Sequence, residues 1–266
     1  LDVRIASPTI ASVRPLFERL FQAHGLPRAI RCDNGPPFGA DGAGGLTRLS
    51  VWWLKLGITP HFTRPASPQD NGRHERMHRE LKAHTSRPAC ADLAQQQARF
   101  DRFRQHYNEE RPREGIGQAP PASLWHPSSW PMPRQAGDAW YDADHEVRGV
   151  MGSGDIKWRQ DRLFIGEAFA GEMVGIADRG DGCFLVRLCH VDIAIIDQAG
   201  RFRRFAPQRY APRQTLIPQH QNCAPSTRPN PEDTTPVARV TRSFHSPLQH
   251  IPSQNLAPSS SQPPAP

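Results

Sequence analysis

Two carboxylates stand out for where the sequence puts them. Asp33 closes a short apolar run, Leu26 to Cys32, and opens the turn Asp33-Asn34-Gly35. A carboxylate at the C-terminal end of a strand, inside a glycine turn, projects into the crevice where α/β sheets bind ligands. Asp-Asn-Gly also makes a good turn for purely local reasons. Glu75 is one of only two acids in a stretch that carries Arg73, Arg76, Arg79, Lys82 and Arg87. At 3.6 residues per turn, Glu75, Arg79 and Lys82 share one helical face. A single Glu in such a basic setting suits a site where a metal-binding carboxylate meets a phosphate backbone. A solvated helix laced with ion pairs has the same pattern.

A third signal uses the same residues. His74-Glu75-Arg76-Met77-His78 matches H-E-x-x-H, in which two histidines bind zinc and the Glu is the general base of a hydrolase. Two features weigh against it: Arg76 and Arg79 set positive charge against the ion, and the helix has only begun after Asn71-Gly72.

These residues need elements to position them. Val3 and Ile5 fit a strand remnant, and Val13, Leu16, Phe17, Leu20 and Phe21 recur at helical spacing with Gly25 as the stop. The run ending in Cys32 reads as a strand, Leu46 to Leu56 as an amphipathic helix, and Ile58 to Thr63 as a second strand. A charged helix follows from about Arg73 to His84. Another begins at Asp92, a good cap, with Leu93, Phe100, Phe103 and Tyr107 on one face. Helices alternating with short strands indicate an α/β layered domain.

Beyond Glu109 the period changes. Prolines and small residues to Asp144 read as a linker with one apolar anchor, Leu124-Trp125. Between Val147 and Phe205, Ile156/Trp158, Leu163/Ile165, Val174/Ile176 and Phe184/Val186/Leu188 alternate, the mark of a small all-β module, sandwich or barrel. Its end, Arg201-Phe202-Arg203-Arg204-Phe205 and Arg209-Tyr210, interleaves bases with aromatics, either a phosphate grip or an edge strand with alternating faces. After Tyr210 the tail holds 12 of the 28 prolines and few large apolar residues, so it is expected to be disordered.

Bulk properties narrow the partners. A net charge of +7 and a pI near 9.6 favour a polyanion, nucleic acid first. The five cysteines are scattered and never form Cys-x-x-Cys, which argues against a disulfide framework or zinc ribbon and fits a reducing cytosol. No apolar run approaches the ~18 residues of a membrane span. The expected setting is the cytoplasm.

Three blocks, taken together, resemble a known family. Asp33-Asn34-Gly35-Pro36-Pro37-Phe38, then Ser67-Pro68-Gln69-Asp70-Asn71-Gly72-Arg73-His74-Glu75-Arg76, then Tyr107-Asn108-Glu109-Glu110-Arg111-Pro112 are similar to the successive signatures of integrase-core transposases, in that order. The stretch Gly45 to Trp53 points to a bacterial insertion-sequence branch of this retroviral-integrase-like superfamily. The resemblance covers about residues 1 to 125. It implies a ribonuclease-H-like fold and an Asp, Asp, Glu triad that binds two Mg²⁺ (or Mn²⁺) ions. Asp33 would be the second Asp and Glu75 the Glu, both as catalytic residues and metal ligands. Arg79 and Lys82 fall where related integrases carry basic residues facing the DNA, and Arg73 and Arg76 complete the expected DNA-binding set. Two metals ~4 Å apart clamp the attacking and leaving oxygens of an in-line phosphoryl transfer. The implied partners are DNA, as transposon ends and target, and further copies of the intact enzyme, with no membrane.

The sequence also departs from the family pattern. The first Asp belongs on the first core strand, yet the helix at Val13 is preceded by residues 1–12 alone, room for the edge strand only. The expectation is therefore an incomplete integrase core over 1–115, a linker over 116–146, a small β-barrel module over 147–210 and a disordered tail over 211–266. With two carboxylates where three are needed, this chain is expected to lack strand transfer. A DNA-binding remnant without catalysis is the rival reading, and the zinc hydrolase a second. The same gap predicts an unprotected strand edge and a partly exposed apolar face on the Val13 helix.

Overall fold

The computed structural model describes residues 1–64, 72–88, 90–209 and 238–239. The first helix, α1 (Ile10–His24), is capped by Thr9, whose hydroxyl accepts from the Ser12 amide. It leads into β1 (Ala29–Cys32), a strand with all four residues buried. A loop then feeds α2 (Arg48–Lys55), where Thr47 and Ser50 cap each other reciprocally. β2 (Thr59–Phe62) returns parallel to β1, pairing Ala29 with Thr59 and Cys32 with Phe62.

The apolar face of α1 is covered. Val13, Phe17 and Phe21 are buried, against the expectation of an exposed face. The cover is aromatic and comes from the following segment: Trp53 sits edge-on to Phe17 at 5.0 Å, Phe38 lies 6.4 Å from Phe17, and Trp52 stacks on Phe21 at 5.7 Å. The outer edge of β1 is paired as well. A two-residue strand, Ala238–Arg239, lies parallel to β1 with Ile30 opposite Ala238. The sheet is thus three parallel strands, with a far part of the chain beside β1.

Residues 1–7 form no strand. Val3 and Ile5, expected as a strand remnant, run along a helix instead. Gln97 takes the Val3 carbonyl at 2.9 Å and the Ile5 amide at 3.0 Å, and Arg4 pairs with Asp101 at 3.3 Å. That helix is α4 (Leu93–Gln105), capped by Asp92, which accepts from the Gln95 amide at 2.7 Å. It packs on α3 (Gly72–Thr85) through a small core of Met77, Leu81 and Phe103, joined by Val3, Phe100 and Tyr107. Leu93 falls outside that face and is 56% exposed.

The linker is anchored elsewhere than expected. Leu124 and Trp125 are exposed, Trp125 resting edge-on against His24. Trp130 and Met132 pack on the main core instead, and the Trp130 carbonyl accepts from the Leu26 amide at 2.7 Å.

The second half is antiparallel. Numbered along the chain, β3 (His145–Gly149), β6 (Met173–Asp178), β7 (Phe184–Leu188), β8 (Val191–Ile196) and β9 (Phe202–Arg204) form a five-stranded sheet in the order β3-β6-β7-β8-β9. β4 (Asp155–Trp158) and β5 (Asp161–Phe164) pair as a separate hairpin, and the Ala238–Arg239 strand is β10. The alternating residues Ile156, Trp158, Ile165, Val174, Ile176, Val186 and Leu188 are buried.

This sheet does not pack alone. Its buried residues and those around α1, α2, β1 and β2 form one continuous hydrophobic cluster. Lys55 reaches Glu172 at 2.8 Å, and the Thr59 hydroxyl meets His190 Nε2 at 2.9 Å. The tail after 210 lies outside the described residues apart from β10.

Candidate active site

Asp33 sits where the sequence places it, directly after β1 at the C-terminal edge of the parallel sheet. It is half-buried, with its Oδ1 shielded from solvent. The loop that carries it is tied from several sides. Thr63, just past β2, gives its amide to the Cys32 carbonyl at 3.0 Å and receives the Asn34 side-chain amide on its own carbonyl at 3.0 Å. Gly39 lies against the Asn34 backbone so closely that a Cβ there would meet the Asn34 carbonyl at 2.7 Å. Thr47 donates to the Pro37 carbonyl at 2.8 Å, which fastens the loop to the start of α2.

Cys32, next to Asp33, is fully buried. Burial first, and the Asp33 charge second, push its thiol far up, so it stays neutral and is a poor soft ligand. His61 on β2 is pushed down by burial and by Arg31, and is neutral at pH 7. Asp33 presents a hard carboxylate at this edge.

Glu75 lies in the first turn of α3, where the helix dipole favours an acid. Its side chain is exposed, as are those of Arg76, Arg79 and Lys82. Met77, Leu81 and Thr85 face inward, so α3 turns one face to α4 and a charged face to solvent. The side chains of Arg73 and His74 lie outside the described residues. His78 is half-buried, its pKa lowered by burial and by Lys82.

Asp33 and Glu75 belong to differently packed parts: Cys32 and Phe38, on either side of Asp33, lie in the main core, while α3 belongs to the smaller α3–α4 core. As a test of metal fit, the donor chemistry is right, since carboxylate oxygens suit a hard divalent cation. Among the described residues, though, the side chains that gather three candidate ligand atoms within 4.8 Å are Asp142, Asp144 and His145, at the entry to β3.

One residue that sequence reasoning passed over holds α3 in place. Glu80 takes both guanidinium nitrogens of Arg111, and Arg113 lies 3.7 Å away with its guanidinium over the Tyr107 ring. Glu80 was visible as the second acid of a basic helix. What it pairs with was not, because Arg111 lies in the next element but one.

Residues 56–121 match the integrase core domain family, a span that holds β2, α3, α4 and the Glu80–Arg111 pair and begins well after Asp33. Over 115 residues the chain is 30% identical to the insertion element IS476 uncharacterized 39.2 kDa protein of Xanthomonas euvesicatoria, covering 43% of this chain and 32% of that protein. The chain spans about a third of the length of that curated relative. The chain is thus similar, over these segments, to integrase-core proteins of bacterial insertion elements.

Proposed function

We propose that this chain is part of a DNA strand-transfer protein of an insertion element, which works by two-metal phosphoryl transfer on a ribonuclease-H-like core and to which this chain brings two of the three carboxylates. The observation that carries the reading is the exposed face of α3, where Glu75 stands among Arg76, Arg79 and Lys82 inside the integrase-core segment. Asp33 and Glu75 would hold divalent cations, Mg²⁺ or Mn²⁺. When bound, such ions polarise the phosphoryl oxygens and lower the pKa of an attacking hydroxyl. The chain's own part is positional. Asn34, Thr63 and Gly39 tie down the loop that carries Asp33, and the α3 cations neutralise phosphates and set the register of the duplex. The antiparallel sheet with its hairpin is read as a barrel-like module that follows the core. The partner is DNA, and the setting the nucleoid.

A second reading, DNA binding without chemistry, is favoured by one observation: Asp33 and Glu75 sit on separately packed parts, with no three-ligand group around Asp33 among the described residues. One experiment separates the two. Cation-dependent nicking of supercoiled DNA, lost in both Asp33→Asn and Glu75→Gln, supports catalysis. Binding that weakens in Arg76→Gln/Arg79→Gln/Lys82→Gln, with its salt slope reduced by up to about three units at roughly 0.9 per contact, supports the duplex face whether or not nicking occurs. An unchanged slope would sink the assignment of α3 to DNA.

A further inference from the structure

The segment that leaves β9 does not run off into solvent. It turns back across the Asp33 loop as a strap. The Phe205 carbonyl accepts from the Gly44 amide at 3.1 Å, and Pro207 lies against Gly45, where a Cβ would meet its Cγ at 2.4 Å. The Gln208 carbonyl accepts from the Phe62 amide at 2.9 Å, and Arg209 bridges parallel to Phe62 at the end of β2. The strap therefore ends beside the C-terminal edge of the sheet, and its last described residue is an arginine.

Arg209 is exposed, and its Nη1 donates to Asn34 Oδ1 at 2.5 Å and to the Thr63 carbonyl at 2.9 Å. Both acceptors are uncharged, so they fix the guanidinium without neutralising it. The neighbouring arginines differ. Arg201 and Arg203 each place Nε 3.0 Å from the Asp197 carboxylate, so that acid offsets part of their charge. Arg204 donates to the Asp41 carbonyl at 2.9 Å, on the same loop that carries Asp33. Of the basic run that closes the sheet module, the part kept positive is the part delivered to the Asp33 loop.

We propose that Arg209 is a phosphate-binding residue of the Asp33 site, so that the DNA backbone passes over the C-terminal ends of β1 and β2 as well as over α3. The proposal rests on the reading of this chain as a DNA-strand-transfer protein. It adds a positioning group carried by the antiparallel sheet module and docked on the parallel sheet. A planar guanidinium held by one nitrogen keeps further N–H groups for a phosphate oxygen.

The test uses the full chain and a short duplex of arbitrary sequence, with affinity followed over roughly 50–200 mM NaCl. Arg209→Gln is expected to lower the salt slope by about 0.9 and the affinity by about eightfold at 0.1 M salt, whereas Arg209→Lys keeps the slope. Both changes disturb the contacts to Asn34 and Thr63, so a merely structural clamp would make the two variants behave alike. Equal loss in both, or no loss in either, overturns the proposal. If the unmodified chain fails to bind the duplex, the DNA reading itself falls. If it binds and only the Arg209 proposal fails, the α3 variants still shift the slope.

Discussion

Arg111 grips Glu80 with a fork, Nη1 to Oε2 at 2.8 Å and Nη2 to Oε1 at 3.2 Å. The pair ties the inner side of α3 to the chain just beyond α4, and so fixes the helix that carries Glu75. Paired nitrogens resist rotation in a way a single contact does not.

That fork predicts coupled loss. Glu80→Ala or Arg111→Ala should each cost about 1 kcal/mol, near the top of the range for partly exposed pairs, and lower Tm by roughly 2–4 °C. The double variant should cost little more than either one. Thermal unfolding of all three decides it, and fully additive losses would show that the two side chains do not act together.

Gly45 is the point where strap and loop touch. Its φ of 71° already disfavours a side chain, and an added Cβ would press Pro207 at 2.4 Å. Gly45→Ala should cost about 1–3 kcal/mol, through strained backbone and overpacking together. It should also loosen residues 205–209. A melting curve like that of the parent would refute the close approach.

Asp197 governs the charge at the end of the sheet module. The Arg201 amide first, then the Arg203 and Arg201 side chains, hold its pKa down to about 2 from the usual 3.8. A depressed carboxyl contributes its stabilisation above pH 3.8 and loses it as the pH falls through about 2. The carboxyl resonance of Asp197 should therefore titrate below the ordinary Asp range. Asp197→Asn removes the counter-charge from Arg201 and Arg203, so DNA binding should become more salt-dependent, by up to about two contacts' worth of slope. A slope equal to that of the parent would place both arginines away from the duplex.

The sequence showed most where structure is local. Val13, Phe17 and Phe21 at helical spacing, Asp92 before α4, and the alternation through Val174, Ile176, Val186 and Leu188 all became the elements expected. Asp33 at a strand end and the charged face around Glu75 were legible for the same reason, since each needs only its own element. What failed needed distant contacts. Val3 and Ile5 have a strand's composition, yet Gln97 takes up their backbone groups. Leu124-Trp125 is as apolar as an anchor should be, but Trp130 occupies the place beside Arg28 and Leu26. The fork on Glu80 and the strap reaching Asn34 join elements far apart in sequence, and no periodicity encodes them.

The third strand of the parallel sheet has a consequence in time. Ala238 pairs with Ile30, roughly 200 residues earlier in the chain. At about 5–20 residues per second, synthesis needs roughly 10–40 s to travel from one strand to the other. Throughout that interval β10 cannot cover the outer edge of β1, and a sheet edge without its partner offers amides and carbonyls to a passing strand. Before it can close on itself, the chain can instead borrow that strand from a neighbour on the same polysome. Slowed translation of the second half should lengthen that window and favour exchanged or aggregated forms.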